Sequence, residues 1–401
     1  MKWVESMKIS ISDDEYHDRQ QRLANYLIET ELSGCVLFDN YYILYYTGFA
    51  FIPTERPLAF VTNSDGKSGL FVPRLELEHA LANSLVDQVE SYVEYPHEIH
   101  PMVVLVQWLK NFRITGRIGA DLDGYPWIFG YQGPKLSELT GMDVVIINGF
   151  IEREMMIKSP AEINLIKESV KWSHYAHTLL HRYTRVGVSE TEASQLASAE
   201  AQRAMLDAIG PIYRAQSPFS QGVHAGYRGQ IGRKAAIPHA LASDIRFQAG
   251  DVLVTGASAP VWGYNSELER TMIMGPANDR QKQMFANMIE LQDLAFELLR
   301  PGILCAEIDR KLRQYYERNE LMTYWKHHVG HAIGLRYHEG PFLDIGDKTE
   351  IQPGMVFTVE PGLYVPDLGG FRHSDTVLIT KNGIDILTYY PRDLENLTIP
   401  I

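Results

Sequence analysis

A chain of 401 residues, 45% hydrophobic and 22% charged, exceeds one ordinary core and predicts two globular domains. Its formal net charge of −13 disfavours nucleic acid or an anionic membrane as partner. No apolar run has the length of a membrane span, the mixed, acidic start (1–15) shows no signal peptide, and the lone cysteines Cys35 and Cys305 read as reduced thiols of a cytoplasmic protein.

Residues 12–33 carry apolar groups at helical spacing. The short β-rich runs 34–38, 41–46, 58–61 and 69–72 predict strands, with helical stretches at 75–84 and 99–112 and a further strand at 144–147. This alternation predicts an α/β domain over residues 1–156. Within it, the loop Pro53-Thr54-Glu55-Arg56-Pro57 carries two charges.

A second domain, 157–401, is expected to open at Ser159-Pro160-Ala161-Glu162. There Ser159 reads as N-cap, Pro160 fits the first helical position, and Glu162 completes a capping box. Ser189 and Glu192 predict a second helix start, with the helix running through Met205. Extended, Gly-rich stretches, 235–241 among them, and a strand at 252–254 follow. The order then repeats, with Asn278 capping a helix to about Leu299, another helix from Ala306 to Leu321, and strands at 356–360 and 371–380. Two helix–helix–strands blocks predict a pseudo-twofold domain with a curved sheet, outer helices and acidic strands lining the inside.

Those acidic strands bear the candidate chemistry. If 263–271 is a strand, Glu267, Glu269 and Thr271 share one face. Two acids on an apolar segment are costly to bury unless a positive group sits between them. A metal ion, a guanidinium or amidinium group, or Arg270 would serve. Further on, His327, His328, His331 and His338 crowd twelve positions, followed by Glu360 in an apolar strand and by Arg372 and His373. A His- and Glu-rich, Cys-free block suits a hard or borderline metal, or acid–base chemistry without one.

The stretches Ile157-Lys158-Ser159-Pro160-Ala161-Glu162-Ile163, Pro238-His239, Gly330-His331-Ala332-Ile333-Gly334, His338-Glu339, Val359-Glu360-Pro361-Gly362 and Gly370-Phe371-Arg372 resemble the creatinase, prolidase, aminopeptidase P and methionine aminopeptidase superfamily, the pita-bread fold. The resemblance implies a creatinase/prolidase-type N-terminal α/β domain, a C-terminal pita-bread catalytic domain with a curved antiparallel sheet, and a homodimer. It also implies, for the peptidases of the family, two divalent metals on two Asp, one His and two Glu. Of those positions, His331 and Glu360 match and Glu267 stands for one Asp. Gly256 and Ser374 replace the other two carboxylates, so a dinuclear site reads as dismantled.

Creatinase is the metal-free member, and the chain resembles it at Leu268-Glu269-Arg270-Thr271. That likeness implies a hydrolase that opens a C–N bond of a small carboxylate-bearing amidine, guanidine or amide with no cofactor. Glu267, Glu269 and Glu360 would hold the cationic part, Arg56 the carboxylate, and His239 would act as general base and then acid. His331 and His338 would orient water or substrate, and Arg372 would balance the acids. One glutamate attacking as nucleophile is a variant of the same scheme. The alternative is an Xaa-Pro dipeptidase or aminopeptidase with one metal (Mn, Co or Zn) on Glu267, His331 and Glu360, since three ligands and an open position make a catalytic site. A third reading is a catalytically silent homologue that binds a peptide or small solute.

Overall fold

The computed structural model describes residues 9–210 and 222–401, so most of the stretch read for a signal peptide lies outside the described residues. The described chain forms two compact units, one from Ile11 to Met155 and one built from Met156 onward.

The N-terminal unit is a six-stranded mixed sheet, ordered Gln88–Tyr92, Ser68–Pro73, Ala59–Asn63, Gly34–Leu37, Ile118–Ala120 and Val144–Ile146. The three strands read first (34–37, 59–63, 68–73) form its antiparallel middle, and the other three add in parallel. Val36, Val61, Phe71, Trp108, Phe112 and Ile118 build the core on one face. The predicted strand at 41–46 is a helix, Asn40–Thr47. Asp39 caps it by accepting the N–H groups of Tyr41 and Tyr42, and Gly48 closes it at φ +68°. Residues 42–47 are all buried, and a run that is apolar on every side has no period to separate helix from strand.

In the second unit the helix Pro160–Tyr183 starts at the expected capping box. Ser159 Oγ accepts the Glu162 N–H at 3.2 Å and Glu162 Oε2 accepts the Ser159 N–H at 2.7 Å. Helix Glu190–Ile209 follows, with Ser189 accepting the Glu192 N–H. A second helix pair, Asp279–Leu298 and Cys305–Arg318, again opens on a capping box, Asn278 with Gln281. Between and after these pairs lie a three-stranded sheet (Thr398–Ile399, Thr271–Met274, Val252–Val254) and a five-stranded one (Glu339–Phe342, His331–Ala332, Val356–Val359, Asp375–Thr380, Gly383–Ile386). Two short antiparallel pairs add His224–Gly226 with Gly256–Ser258 and the hairpin Gly362–Val365 with Gly369–Arg372.

Three local readings change. Ala235, taken as extended, lies in a 3-10 turn, Gly232–Ala236. The single strand expected over 371–380 is two, Gly369–Arg372 and Asp375–Thr380, because the chain switches sheets at His373-Ser374. The run 263–271 becomes regular strand only at Thr271. Ahead of it Leu268 bridges Ala257 and Glu269 bridges Ser374, so the acids are placed by two different neighbours. Cys35 and Cys305 are buried and unbridged. Among the described residues no helix is long and apolar enough to cross a membrane.

Candidate active site

The acidic run is an extended segment held on both sides. On one side Leu268 and Ala257 exchange backbone bonds of 2.8 and 3.1 Å. On the other, Glu269 and Ser374 exchange two of 3.0 Å. Thr376 Oγ1 accepts the Glu267 N–H at 2.8 Å and donates to the Glu267 carbonyl at 2.9 Å. This places both Glu267 and Glu269 in the interior, each only 3% exposed.

Arg270 does not neutralise them. Its fully buried guanidinium donates to Asp375 at 2.7 Å and to the carbonyls of Glu269, Ser374, Tyr390 and Pro391 at 2.7–3.0 Å. All five donors are used on the backbone and carboxylate behind the acids. Arg372 faces the acids instead, with Nε 2.5 Å from Glu269 Oε2 and 3.8 Å from Glu360 Oε2. Its Nη1 donates to Tyr364 Oη at 3.1 Å, and that hydroxyl lies 2.7 Å from His327 Nε2.

His331 comes from the short strand His331–Ala332, and Glu360 from the end of Val356–Val359, with its N–H bonded to the Val329 carbonyl at 2.7 Å. The two segments approach closely at Gly330, where an added Cβ would stand 2.0 Å from the Thr358 carbonyl oxygen, so only glycine fits. His331 Nδ1 lies 3.0 Å from the Ala332 carbonyl. Donation there fixes the ring so that Nε2 is the nitrogen left to bind a cation once it is deprotonated. That atom is buried without a hydrogen-bond partner, 3.3 Å from Glu360 Oε1. One ligand atom each from Glu267, His331 and Glu360 lie within 4.8 Å of one another.

Electrostatics in the cluster are strong. Burial, then the charges of Glu360 and Glu269, raise Glu267 to about 8. Burial also acts on Glu360, but the adjoining His331 ring 3.3 Å away and the charge of Arg372 hold it well below the usual range. Burial lowers His331, yet the Glu360 contact and the Glu267 charge win and raise it to about 9. Two carboxylates and an imidazole whose Nε2 proton a cation would displace fit one hard or borderline divalent cation. The cluster does not fit two. Ser374 supplies only a hydroxyl, which donates to Glu267 Oε1 at 2.5 Å. Gly256 supplies nothing, and a Cβ built there would stand 3.4 Å from Glu269 Oε1. Glu269 itself is already claimed by Arg372 and by Arg228 at 2.9 Å.

Of the remaining expected residues, His338 stacks on His331 with ring centroids 3.8 Å apart. Burial and the neighbouring His331 charge lower it to about 4, so it is neutral at physiological pH. His239 is exposed, beyond the 3-10 turn Gly232–Ala236, and its charge acts on His338. Arg56 lies in the N-terminal unit, where Nε and Nη2 pair with Glu94 and Nη1 with Glu55. Sequence reading missed Arg228, Tyr364 and Tyr337. Arg228 arrives on a turn and Tyr364 on the hairpin Gly362–Val365 with Gly369–Arg372, while Tyr337 stands beside His338 and feels the charges of Glu267, Glu269 and Glu360.

Comparison with known proteins matches both domains and the fold. Residues 19–140 match the Creatinase/Prolidase N-terminal domain, and residues 164–381 match metallopeptidase family M24. The Xaa-Pro dipeptidase of Pyrococcus horikoshii is 28% identical over 388 residues, 95% of this chain and 99% of that protein. The putative dipeptidase YkvY of Bacillus subtilis is 27% identical over 94% of this chain and 99% of its own length. The crystal structure of the prolidase from Pyrococcus horikoshii superposes with a TM-score of 0.77 at 26% identity, covering 94% of this chain and 99% of that one. These relatives bear out the pita-bread expectation. They favour the peptidase alternative over the metal-free, creatinase-like reading, and a divalent metal over none. With more than half of its length inside one family model, the chain belongs to metallopeptidase family M24.

Proposed function

We propose that this protein is a hydrolase of short peptides, cleaving an Xaa-Pro type C–N bond with one divalent cation held by Glu267, His331 and Glu360. The observation that carries the reading is the unpartnered His331 Nε2, buried and facing two carboxylates that converge within 4.8 Å. A cation bound there would polarise the scissile carbonyl and acidify water.

The chain's own residues supply the rest. Arg372 offsets the Glu269 and Glu360 charges, which keeps the three-ligand set from carrying surplus negative charge. Tyr364 and His327 hold the Arg372 guanidinium in plane. Neutral His338, stacked on His331, offers a ring nitrogen to the substrate, and we assign to exposed His239 the role of taking a proton and returning it to the leaving nitrogen. A metal-free C–N hydrolase remains the second reading, because Arg372 already gives the acids an internal cation.

Chelation separates the two. Exhaustive chelation is expected to abolish cleavage of an Xaa-Pro dipeptide, with recovery on adding manganese or cobalt. Chelator-resistant cleavage of a small amide or amidine would overturn the first reading in favour of the second.

A further inference from the structure

Arg228 stands out among the residues around the cluster. The Gln230 N–H bonds to the Tyr227 carbonyl at 2.9 Å, closing a turn whose two central residues, Arg228 (φ +51°) and Gly229 (φ +76°), both carry positive φ. Such a turn favours Asn-Gly. Gly229 is obligatory, since a Cβ there would stand 2.1 Å from the Leu241 carbonyl oxygen. Arg228, however, holds a conformation that L side chains adopt only at a cost. The buried Glu190 carboxylate pins the turn by accepting the Gly229 N–H at 2.7 Å and the Ser243 N–H at 2.8 Å.

The strained residue aims its guanidinium at the site. Its Nη2 lies 2.9 Å from Glu269 Oε1 and 3.4 Å from Gln230 Oε1, yet its side chain remains 47% exposed. Among the described residues those are its only hydrogen-bond partners, which leaves Nε and Nη1 without a protein acceptor on a half-exposed side chain. Neutralising Glu269 does not require it, because buried Arg372 already stands 2.5 Å from that carboxylate. Nor is Arg56 a better anion receptor, as each of its three nitrogens already donates to Glu94 or Glu55.

We propose that Arg228 selects substrates bearing a free carboxylate, pairing its unused guanidinium edge with that anion beside Glu269. An arginine fork matches a carboxylate in shape as well as charge, and Glu269 holds the fork in place. The assignment rests on the short-peptide reading above and makes the C-terminal carboxylate of a dipeptide the group recognised.

The test compares alanyl-proline with alanyl-prolinamide on manganese-loaded wild type, R228Q and R228K. Wild type is expected to favour the acid in kcat/KM by about tenfold to a hundredfold, the usual loss for one charge-assisted hydrogen bond. R228Q is expected to bring the acid/amide ratio to within about threefold through a higher KM for the acid, with R228K in between. A ratio unchanged in R228Q, or an equal fall for both ligands as a folding defect would give, overturns the proposal. If wild type turns over neither, calorimetric titration with the same pair decides. Acid preference that R228Q abolishes upholds Arg228 and sinks only the peptidase reading. Equal affinities, or no binding of either, overturns Arg228's role.

Discussion

Replacing His331 with Ala is expected to strip the protein of its metal and to lower dipeptide cleavage by about a thousandfold or more. The imidazole is the one neutral ligand, and its Nε2 has no other partner to lose. Without it, Glu267 and Glu360 are two buried carboxylates with their shared imidazole neighbour gone. Burial and their mutual repulsion already raise Glu267 to about 8, so proton uptake by that acid outcompetes two-ligand cation binding. Losing Lewis-acid assistance worth several kcal/mol, at about 1.4 kcal/mol per factor of ten, sets the size of the effect. Elemental analysis of H331A beside wild type, with kcat/KM for an Xaa-Pro dipeptide, checks it. Retained metal at wild-type stoichiometry would refute the ligand assignment.

Arg270→Met is expected to destabilise the protein by about 3–5 kcal/mol, measured as the shift in urea unfolding. The magnitude is that of removing one member of a buried ion pair. Asp375 would lose its 2.7 Å partner inside the protein, keeping only Thr388 and Gln292 as donors. Four backbone carbonyls would each lose one donor as well. Two of them belong to Glu269 and Ser374, the bridged pair that sets the acidic run against the strand beyond Arg372, so activity should fall along with stability. A shift under about 1 kcal/mol would show that the clamp is dispensable.

What could be read beforehand follows the range of the interactions. The capping boxes at Ser159 and Asn278 are local, satisfied within three residues, and both are present in the fold. The acids at 267 and 269, the histidine block and Glu360 were legible because charged groups in apolar strands demand a partner. Their partners were legible only in part. Arg372 was expected to balance the acids and stands 2.5 Å from Glu269, whereas Arg270, adjacent in sequence, turned its guanidinium to Asp375, and Arg228 arrived unanticipated from a distant turn. The absence of carboxylates at Gly256 and Ser374 was plain in the sequence. That Glu269 reaches toward the space beside Gly256 required coordinates. The helix at 40–47 was misread for the reason that makes it stable: it is buried on all sides.

The most direct test of the one-cation site is the metal content of protein purified without chelator and then saturated with manganese or cobalt, measured by elemental mass spectrometry against protein concentration. One equivalent per chain, lost in H331A, is the expected result. Two equivalents would mean that Glu269 escapes its two arginines to serve as a ligand, and less than roughly a tenth of an equivalent would return the chain to metal-free chemistry.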